Sequence, residues 1–353
     1  MARTIAVLEN NGGADDSLQA VFDAISGLED DQIPGALEEL LPTLAGAGVD
    51  IVPTIATAMS NIVDMASGLG GRPAGDQTRT DKFVWMKPFA LNVEQDTTGG
   101  VPGYDANIGG MVLGADDQIS AATRAGWMLG YAQTSMDGND GFNGQSLDID
   151  TYQLGLYARK ELEGDAYVSG KFQFGWNNNE SERRIMTAGT AKADYDSWYT
   201  LLNATIGKDY EAGRELMLSP ELSINYVHID QEGYTEHGSL APLKVDGVSE
   251  DSLIFSVGTK LNFRIEETTS VTAHIEVGYE TLADGTDLQS TFVGGAGSSF
   301  TTNGADQNGA VVTTGIGLNL MEGEQLNISI NYDATIRNDY TDQGVSATLR
   351  YKW

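Results

Sequence analysis

The sequence predicts an all-β transmembrane barrel, a closed 12-stranded antiparallel sheet over residues 82–353, preceded by an α-helical segment. Three observations lead to this fold class. The spacing of apolar residues changes from about 3.6 to about 2 near Lys82. Several segments after that point alternate between apolar and polar residues without interruption. The connections between these segments alternate between short and long.

Residues 14–69 are predicted to form three helices. The first is expected to start among Asp15, Asp16 and Ser17, which favour helix N-termini, and Gly27 can end it. Its apolar residues recur at helical spacing and are Leu18, Val21, Phe22 and Ile25. The second helix is expected over residues 33–44 and the third from residue 53 to residue 69. The apolar stripe of the third consists of Ile55, Met59, Ile62, Val63 and Ala66. Residues 70–81 read as a polar, Gly-rich tether.

The strand segments have the length that a membrane barrel requires. Residues 253–263, 271–279 and 326–336 alternate over nine to eleven positions. A tilted strand needs about that length to cross a bilayer, whereas strands of soluble proteins have a mode of about five or six residues. These segments therefore favour transmembrane strands.

The connections between strands follow a rule that a soluble protein does not need. Even-numbered strands are predicted to lead into short turns, at 116–118, 163–164, 211–214, 266–269 and 322–324. Odd-numbered strands lead mostly into long polar loops, around 137–145, 178–193, 232–250 and 282–308. Short turns on one rim and long loops on the other are typical of outer-membrane barrels. An aromatic-rich soluble sandwich is the alternative, and the asymmetry of the loops argues against it.

Composition excludes several classes of function. The chain has 51 acidic and 20 basic residues and a net charge of −31, which leaves no basic face for nucleic acid. It contains no Cys, so disulfides, zinc–cysteine clusters and thiol nucleophiles are absent from the sequence. No stretch of eighteen apolar residues occurs, which excludes a helical membrane protein. We expect no nucleic-acid partner, no metal and no cofactor.

The sequence also lacks the motifs of an enzyme. The three histidines are His228, His237 and His274, and no G-x-S-x-G or H-E-x-x-H pattern accompanies them. No phosphate-binding G-x-x-x-x-G-K-[ST] loop is present either. A hydrolase on the barrel would need a serine beside a histidine near the rim, and no such pair is evident. No catalytic residue is assigned on this basis.

The end of the chain resembles a known assembly signal. Val345, Ala347, Leu349, Tyr351 and Trp353 alternate with polar residues up to the terminal aromatic. This pattern is similar to the signature by which bacterial outer-membrane proteins are handed to the barrel assembly machinery, although Phe is commoner than Trp at the last position. The first strand, Trp85-Met86-Lys87-Pro88-Phe89, and the fourth, with Tyr152, Gly155 and Tyr157, resemble the β-domain of type V (classical) autotransporters.

That resemblance implies a translocator in the outer membrane of a Gram-negative bacterium, with its passenger at the cell surface. Residues 14–69 would be the helical linker, and 54–69 the helix that plugs the lumen. Residues 1–13 would be a remnant of the passenger or an added start. The implied partners are outer-membrane lipid and lipopolysaccharide, the barrel assembly machinery, periplasmic chaperones and the protein's own passenger. The barrel itself is expected to be monomeric.

Two alternatives remain open at this point. In some members of the family an Asn in the plug helix cyclises onto its own backbone with the help of lumenal carboxylates. Asn61 is the candidate here, with Glu276 and Asp333, which are predicted to face inward; an ordinary polar residue on a lumenal helix is the favoured interpretation. The other alternative for the whole protein is a free-standing, porin-like diffusion channel.

Overall fold

The computed structural model describes residues 13–67, 82–139, 144–295, 299–322 and 325–352. The helices are α1 Asp16–Ser26, α2 Ile33–Glu38 and α3 Thr43–Ser67. The first strands are β1 Phe83–Gln95, β2 Tyr104–Ser120, β3 Thr123–Gly138, β4 Gln145–Glu161, β5 Ala166–Ile185, β6 Gly189–Lys208, β7 Tyr210–Glu211, β8 Leu216–Gln231 and β9 Tyr234–Thr235. The remaining strands are β10 Leu243–Val245, β11 Val248–Glu266, β12 Thr269–Glu280, β13 Leu288–Phe292, β14 Ser299–Thr302, β15 Gly309–Glu322, β16 Leu326–Arg337 and β17 Tyr340–Lys352.

Twelve long strands form one closed antiparallel barrel. Their order around the wall is β1, β2, β3, β4, β5, β6, β8, β11, β12, β15, β16 and β17. The wall closes where β1 pairs with β17, from Phe83 opposite Lys352 to Gln95 opposite Tyr340. Strand β7 is a two-residue addition to the turn between β6 and β8. The predicted 12-stranded barrel with an N-terminal helical segment is confirmed.

Alternation along each strand separates a lipid-facing side from a lumenal side. On β4, Leu154 and Leu156 point outward and are 51% and 60% exposed. Their neighbours Gln153 and Tyr157 point inward and are buried. Since one wall residue in two contacts lipid, the strands are apolar on one side only, as the alternating pattern predicted. Among the described residues, no helix is long and apolar enough to cross a membrane.

Two connections differ from the prediction. The turn expected at 116–118 lies inside β2, and the chain turns at residues 121–122. The loop expected over 178–193 is mostly strand, since β5 and β6 stay paired up to Ile185 opposite Gly189. Beyond the lipid band the outward residues become polar, but the backbone hydrogen bonds between the two strands continue. The change to polar residues therefore shows where the lipid ends and not where the strand ends.

The helix boundaries also differ. Helix α2 ends at Glu38, and α3 begins at Thr43 and continues through Pro53 without a break. A proline inside a helix removes one backbone hydrogen bond and costs roughly 3 kcal/mol. Burial of α3 on several sides offsets this cost. Local sequence signals carry no information about that burial.

The long connections at one rim form a folded structure that the sequence did not predict. Segments that follow β8 and β12 pair as a second sheet in the order β14-β13-β10-β9. Its inner residues Leu243, Leu288 and Phe292 are buried together with Phe22 of α1. We call α1, α2 and this sheet the cap. It lies at the rim that carries the long connections, the outer rim; the opposite end, with the short turns, is the inner rim.

Candidate functional site

Helix α3 lies inside the barrel. It packs against eight of the twelve wall strands, β1 to β6, β8 and β17. The Thr54 hydroxyl lies 2.8 Å from the Tyr340 hydroxyl on β17. On other sides of the wall, the Asn225 side chain donates to the Thr57 hydroxyl at 3.2 Å, and Lys171 Nζ to the Ser60 carbonyl at 3.4 Å. The lumen with its helix is therefore the candidate functional site.

Apolar contacts surround the helix as well. Ile55 and Met59 are fully buried in the large core cluster. An adjacent face of the helix, with Val49, Val52 and Ala56, packs against the β6 and β8 residues Tyr199, Leu201, Val227 and Ile229. Ile62, Val63 and Ala66 continue the helix, but their side chains lie outside the described residues. The described part of the predicted stripe is thus in the lumen.

Two glycines allow the helix and the wall to approach each other closely. A Cβ at Gly48 of α3 would lie 2.4 Å from Leu147 Cδ2. A Cβ at Gly130 of β3 would lie 2.2 Å from Met59 Cε. Because contacts this short do not occur, the absence of a side chain at each position makes room for a neighbour.

Ion pairs line the inner half of the lumen. Arg350 donates to Asp116 at 3.0 Å, and Arg124 contacts the same carboxylate. Elsewhere on the wall, Arg159 pairs with Asp209 at 3.0 Å and Lys260 with Glu221 at 2.9 Å. Each pair joins residues of the wall or its turns, so these buried charges are neutralised without help from α3.

Carboxyl groups meet at the outer end of the helix. Asp50 of α3 is buried and accepts a hydrogen bond of 2.8 Å from the Thr286 hydroxyl in the connection before β13. Glu250 of β11 lies beside it. This end of β11 is beyond the lipid band, as shown by its outward residue Asp251, which bonds to the polar groups of Tyr226 and His228. Burial raises the pKa of Asp50 to about 6. Burial, and then the proximity of Asp50, raises the pKa of Glu250 to about 9.

The candidates for self-cleavage do not form a cluster. The Asn61 side chain is exposed. Glu276 accepts a hydrogen bond of 2.9 Å from Ser223, and Asp333 lies 3.7 Å from His274 Nε2. Both carboxylates face inward, and within the described ranges neither forms a hydrogen bond with Asn61. Self-cleavage therefore remains an untested prediction.

The predicted assembly signal lies on the lipid-facing side of β17. Val345, Leu349 and Tyr351 are each between 43% and 54% exposed, and Ala347 is exposed beside them. Trp353 lies outside the described residues.

Sequence reasoning missed Asp50 and Glu250. A signal for Asp50 was present, because it is the only charged residue in the apolar stretch 43–63. Glu250 had no such signal, since it sits among the polar residues at the start of a strand. Its proximity to Asp50 arises only when the helix lies in the lumen.

Comparison with known proteins places the barrel in a family. A family model described as the autotransporter β-domain matches residues 84–333, more than two thirds of the chain. The chain belongs to this family. It is a translocator domain of the bacterial outer membrane, as the resemblance of its first, fourth and last strands predicted.

Relatives and solved structures agree with this assignment. Outer membrane protein B of Rickettsia prowazekii is 27% identical over 60% of the chain, which covers 13% of that protein. An extracellular serine protease of Serratia marcescens is 24% identical over 80% of the chain, which covers 27% of that protein. The chain therefore spans a small part of these relatives. The translocator domain of the autotransporter NalP from Neisseria meningitidis has the same fold, with a TM-score of 0.70 at 17% identity over 86% of this chain and 98% of that one.

Proposed function

We propose that this barrel carries a passenger that precedes α1 through the outer membrane and then anchors it at the cell surface. The direction of α3 is the observation that carries the proposal. Its N-terminal end lies at the outer rim, where the backbone N–H of Leu44 donates to Gln145 at the start of β4. Its C-terminal end leads toward β1, which begins at the inner rim. A chain ahead of α3 therefore starts on the outer side.

The width of the lumen supports passage of an unfolded chain. Twelve tilted strands enclose a backbone circle roughly 24 Å across, and inward side chains reduce the bore to about 10 Å. That width holds one helix or, when α3 is absent, an extended chain or hairpin. A folded domain does not fit, so the passenger folds after it has crossed.

The other partners follow from the surfaces of the barrel. The outward apolar side chains face lipid and lipopolysaccharide, and the stripe on β17 would be presented to the barrel assembly machinery by periplasmic chaperones. On this proposal the barrel works as a monomer and acts in export and anchoring, not as an enzyme. Asn61 is then a polar residue of the plug and the chain is not cleaved there. Mass spectrometry of purified membranes tests this, because self-cleavage at Asn61 would produce a fragment that begins at Ile62.

Surface exposure tests the proposal directly. An epitope placed ahead of residue 13 should be removed by protease added to intact cells, whereas an epitope in the inner turn at 212–214 should be protected. The conductance of the whole chain in planar bilayers should be low, and deletion of residues 14–69 should increase it. High conductance of the whole chain, with both epitopes protected, would instead indicate a diffusion channel.

A further inference from the structure

Helix α1 has an apolar face that is completely covered by the rest of the cap. Leu18 and Val21 are fully buried, Phe22 is 1% exposed and Ile25 is 5% exposed. The Phe22 ring meets the Phe292 ring of β13 edge-on, with centroids 5.8 Å apart. Aromatic pairs of this geometry contribute beyond the area that they bury. The second sheet is therefore a binding surface for one face of α1.

Backbone contacts fix the start of the helix on the same surface. The N–H of Asp15 donates to the Gly294 carbonyl at 2.9 Å, and Ala14 forms a β-bridge with Gly295. A Cβ at Gly294 would lie 2.2 Å from Asp15 Oδ2, and the residue has φ +85°. Glycine is thus required at this position both for its backbone conformation and for the close approach of Asp15, the N-cap residue of α1.

The link between α1 and α2 is exposed and, unlike α1, is not buried against the second sheet. Residues 29–32 are all exposed, and three of them are acidic. The contacts that hold α1 involve the connections after β8 and β12 and also α2, which remains joined to the plug when the link is cut. They do not depend on an intact chain between α1 and the plug.

We infer that the second sheet of the cap is a helix-binding site that holds α1, and the chain ahead of it, on the barrel even when the link at residues 29–32 is cut. The exported chain is then attached to the barrel in two independent ways, covalently through α2 and α3 and non-covalently through α1. This inference rests on the proposed function only in placing the chain ahead of α1 outside the cell.

The test uses the full chain with an epitope at its start and a protease recognition sequence inserted between Asp30 and Asp31. After complete cleavage of the purified protein in detergent, the epitope fragment should still elute with the barrel in gel filtration. Phe22→Ser should release it at least about tenfold faster, because a buried aromatic anchor is lost. Asp23→Ser, on the exposed face of the same helix, is the matched control and should retain the fragment.

A second pair of variants examines the other side of the contact. Phe292→Ser should release the fragment, and its exposed neighbour Val293→Ser should not. Immediate loss of the fragment from the unsubstituted protein, or equal retention by Phe22→Ser and Asp23→Ser, would overturn the inference. The same cleavage on intact cells separates the two proposals. If the inserted site cannot be cut on intact cells, the proposed export is contradicted, and the result with the purified protein still decides the inference about the cap.

Discussion

The carboxyl pair at the outer end of the lumen should make the docking of α3 sensitive to pH. Asp50 and Glu250 come from the plug and from the wall, respectively, so the two groups are adjacent only when α3 is docked. The two carboxyl groups are close enough to share a hydrogen bond. Two neighbouring buried carboxyls cannot both ionise without repulsion, and docking therefore retains a proton.

The size of the effect follows from the pKa of Glu250, which is raised from 4.5 to about 9. A carboxyl with a raised pKa stabilises the docked state below its ordinary pKa, and that contribution is lost as the pH rises through the raised value. Between pH 7 and pH 10, docking should weaken by up to about 3 kcal/mol, since each pKa unit corresponds to about 1.4 kcal/mol; this limit is reached only if the whole shift comes from α3, because Glu280 and Asp284 also raise this pKa. The ratio of open to plugged barrels should then rise by up to about a hundredfold.

Single-channel recording in planar bilayers measures this ratio as the fraction of time that the barrel conducts. The unsubstituted protein should be mostly closed at pH 7 and open much more often at pH 10. Glu250→Gln should remove the alkaline response, whereas Glu232→Gln, an exposed acid at the same rim, should keep it. An equal response in Glu250→Gln, or none in the unsubstituted protein, would refute the reasoning.

Three further predictions concern the stability of the wall. Asp209→Ala removes one of the two carboxylate partners of the buried Arg159, the other being Glu161 at 2.8 Å, and should lower the free energy of unfolding by about 1–3 kcal/mol, measured by denaturant titration in detergent. Gly175→Ala would place a Cβ 2.0 Å from a buried tyrosine ring and should cost about 1–3 kcal/mol in the same titration, whereas Gly109→Ala, with open space around it, should cost far less. Leu349→Lys puts a charge on the lipid-facing side and should destabilise the folded barrel in lipid vesicles by about 2–4 kcal/mol.

The wall of the barrel could be predicted from sequence because its physical cause is local. Each residue between lipid and lumen contacts one of two environments, and the pattern repeats every second residue, as at Tyr152, Leu154 and Leu156. The strand count and the closure of the sheet followed from that pattern and from the alternating lengths of the connections. Strand ends beyond the lipid, such as Ile185, could not be placed, because there the outward side chains face water.

The cap and the course of α3 depend on contacts between distant segments. The strands of the second sheet have two to five residues, too few for a periodic pattern, and β10 pairs with β13 more than forty residues away. Pro53 favoured a break in the helix, and only enclosure by the barrel explains why the helix continues. Residues that meet only across such contacts, among them Asp50 and Glu250, had no pairing signal in the sequence.

The distribution of charge explains how a plug helix and a transit path can use the same lumen. Within the described ranges, no ion pair joins α3 to the wall, and the helix is held by apolar packing and by hydrogen bonds such as that between Thr54 and Tyr340. The buried arginines of the wall, including Arg159 and Arg350, have carboxylate partners on the wall itself. Removal of α3 therefore leaves these ion pairs intact, and the empty lumen avoids the several kcal/mol that an isolated buried charge costs. On the proposed export, a wall that neutralises these arginines itself can accept an extended chain in transit and then hold α3 by packing and hydrogen bonds.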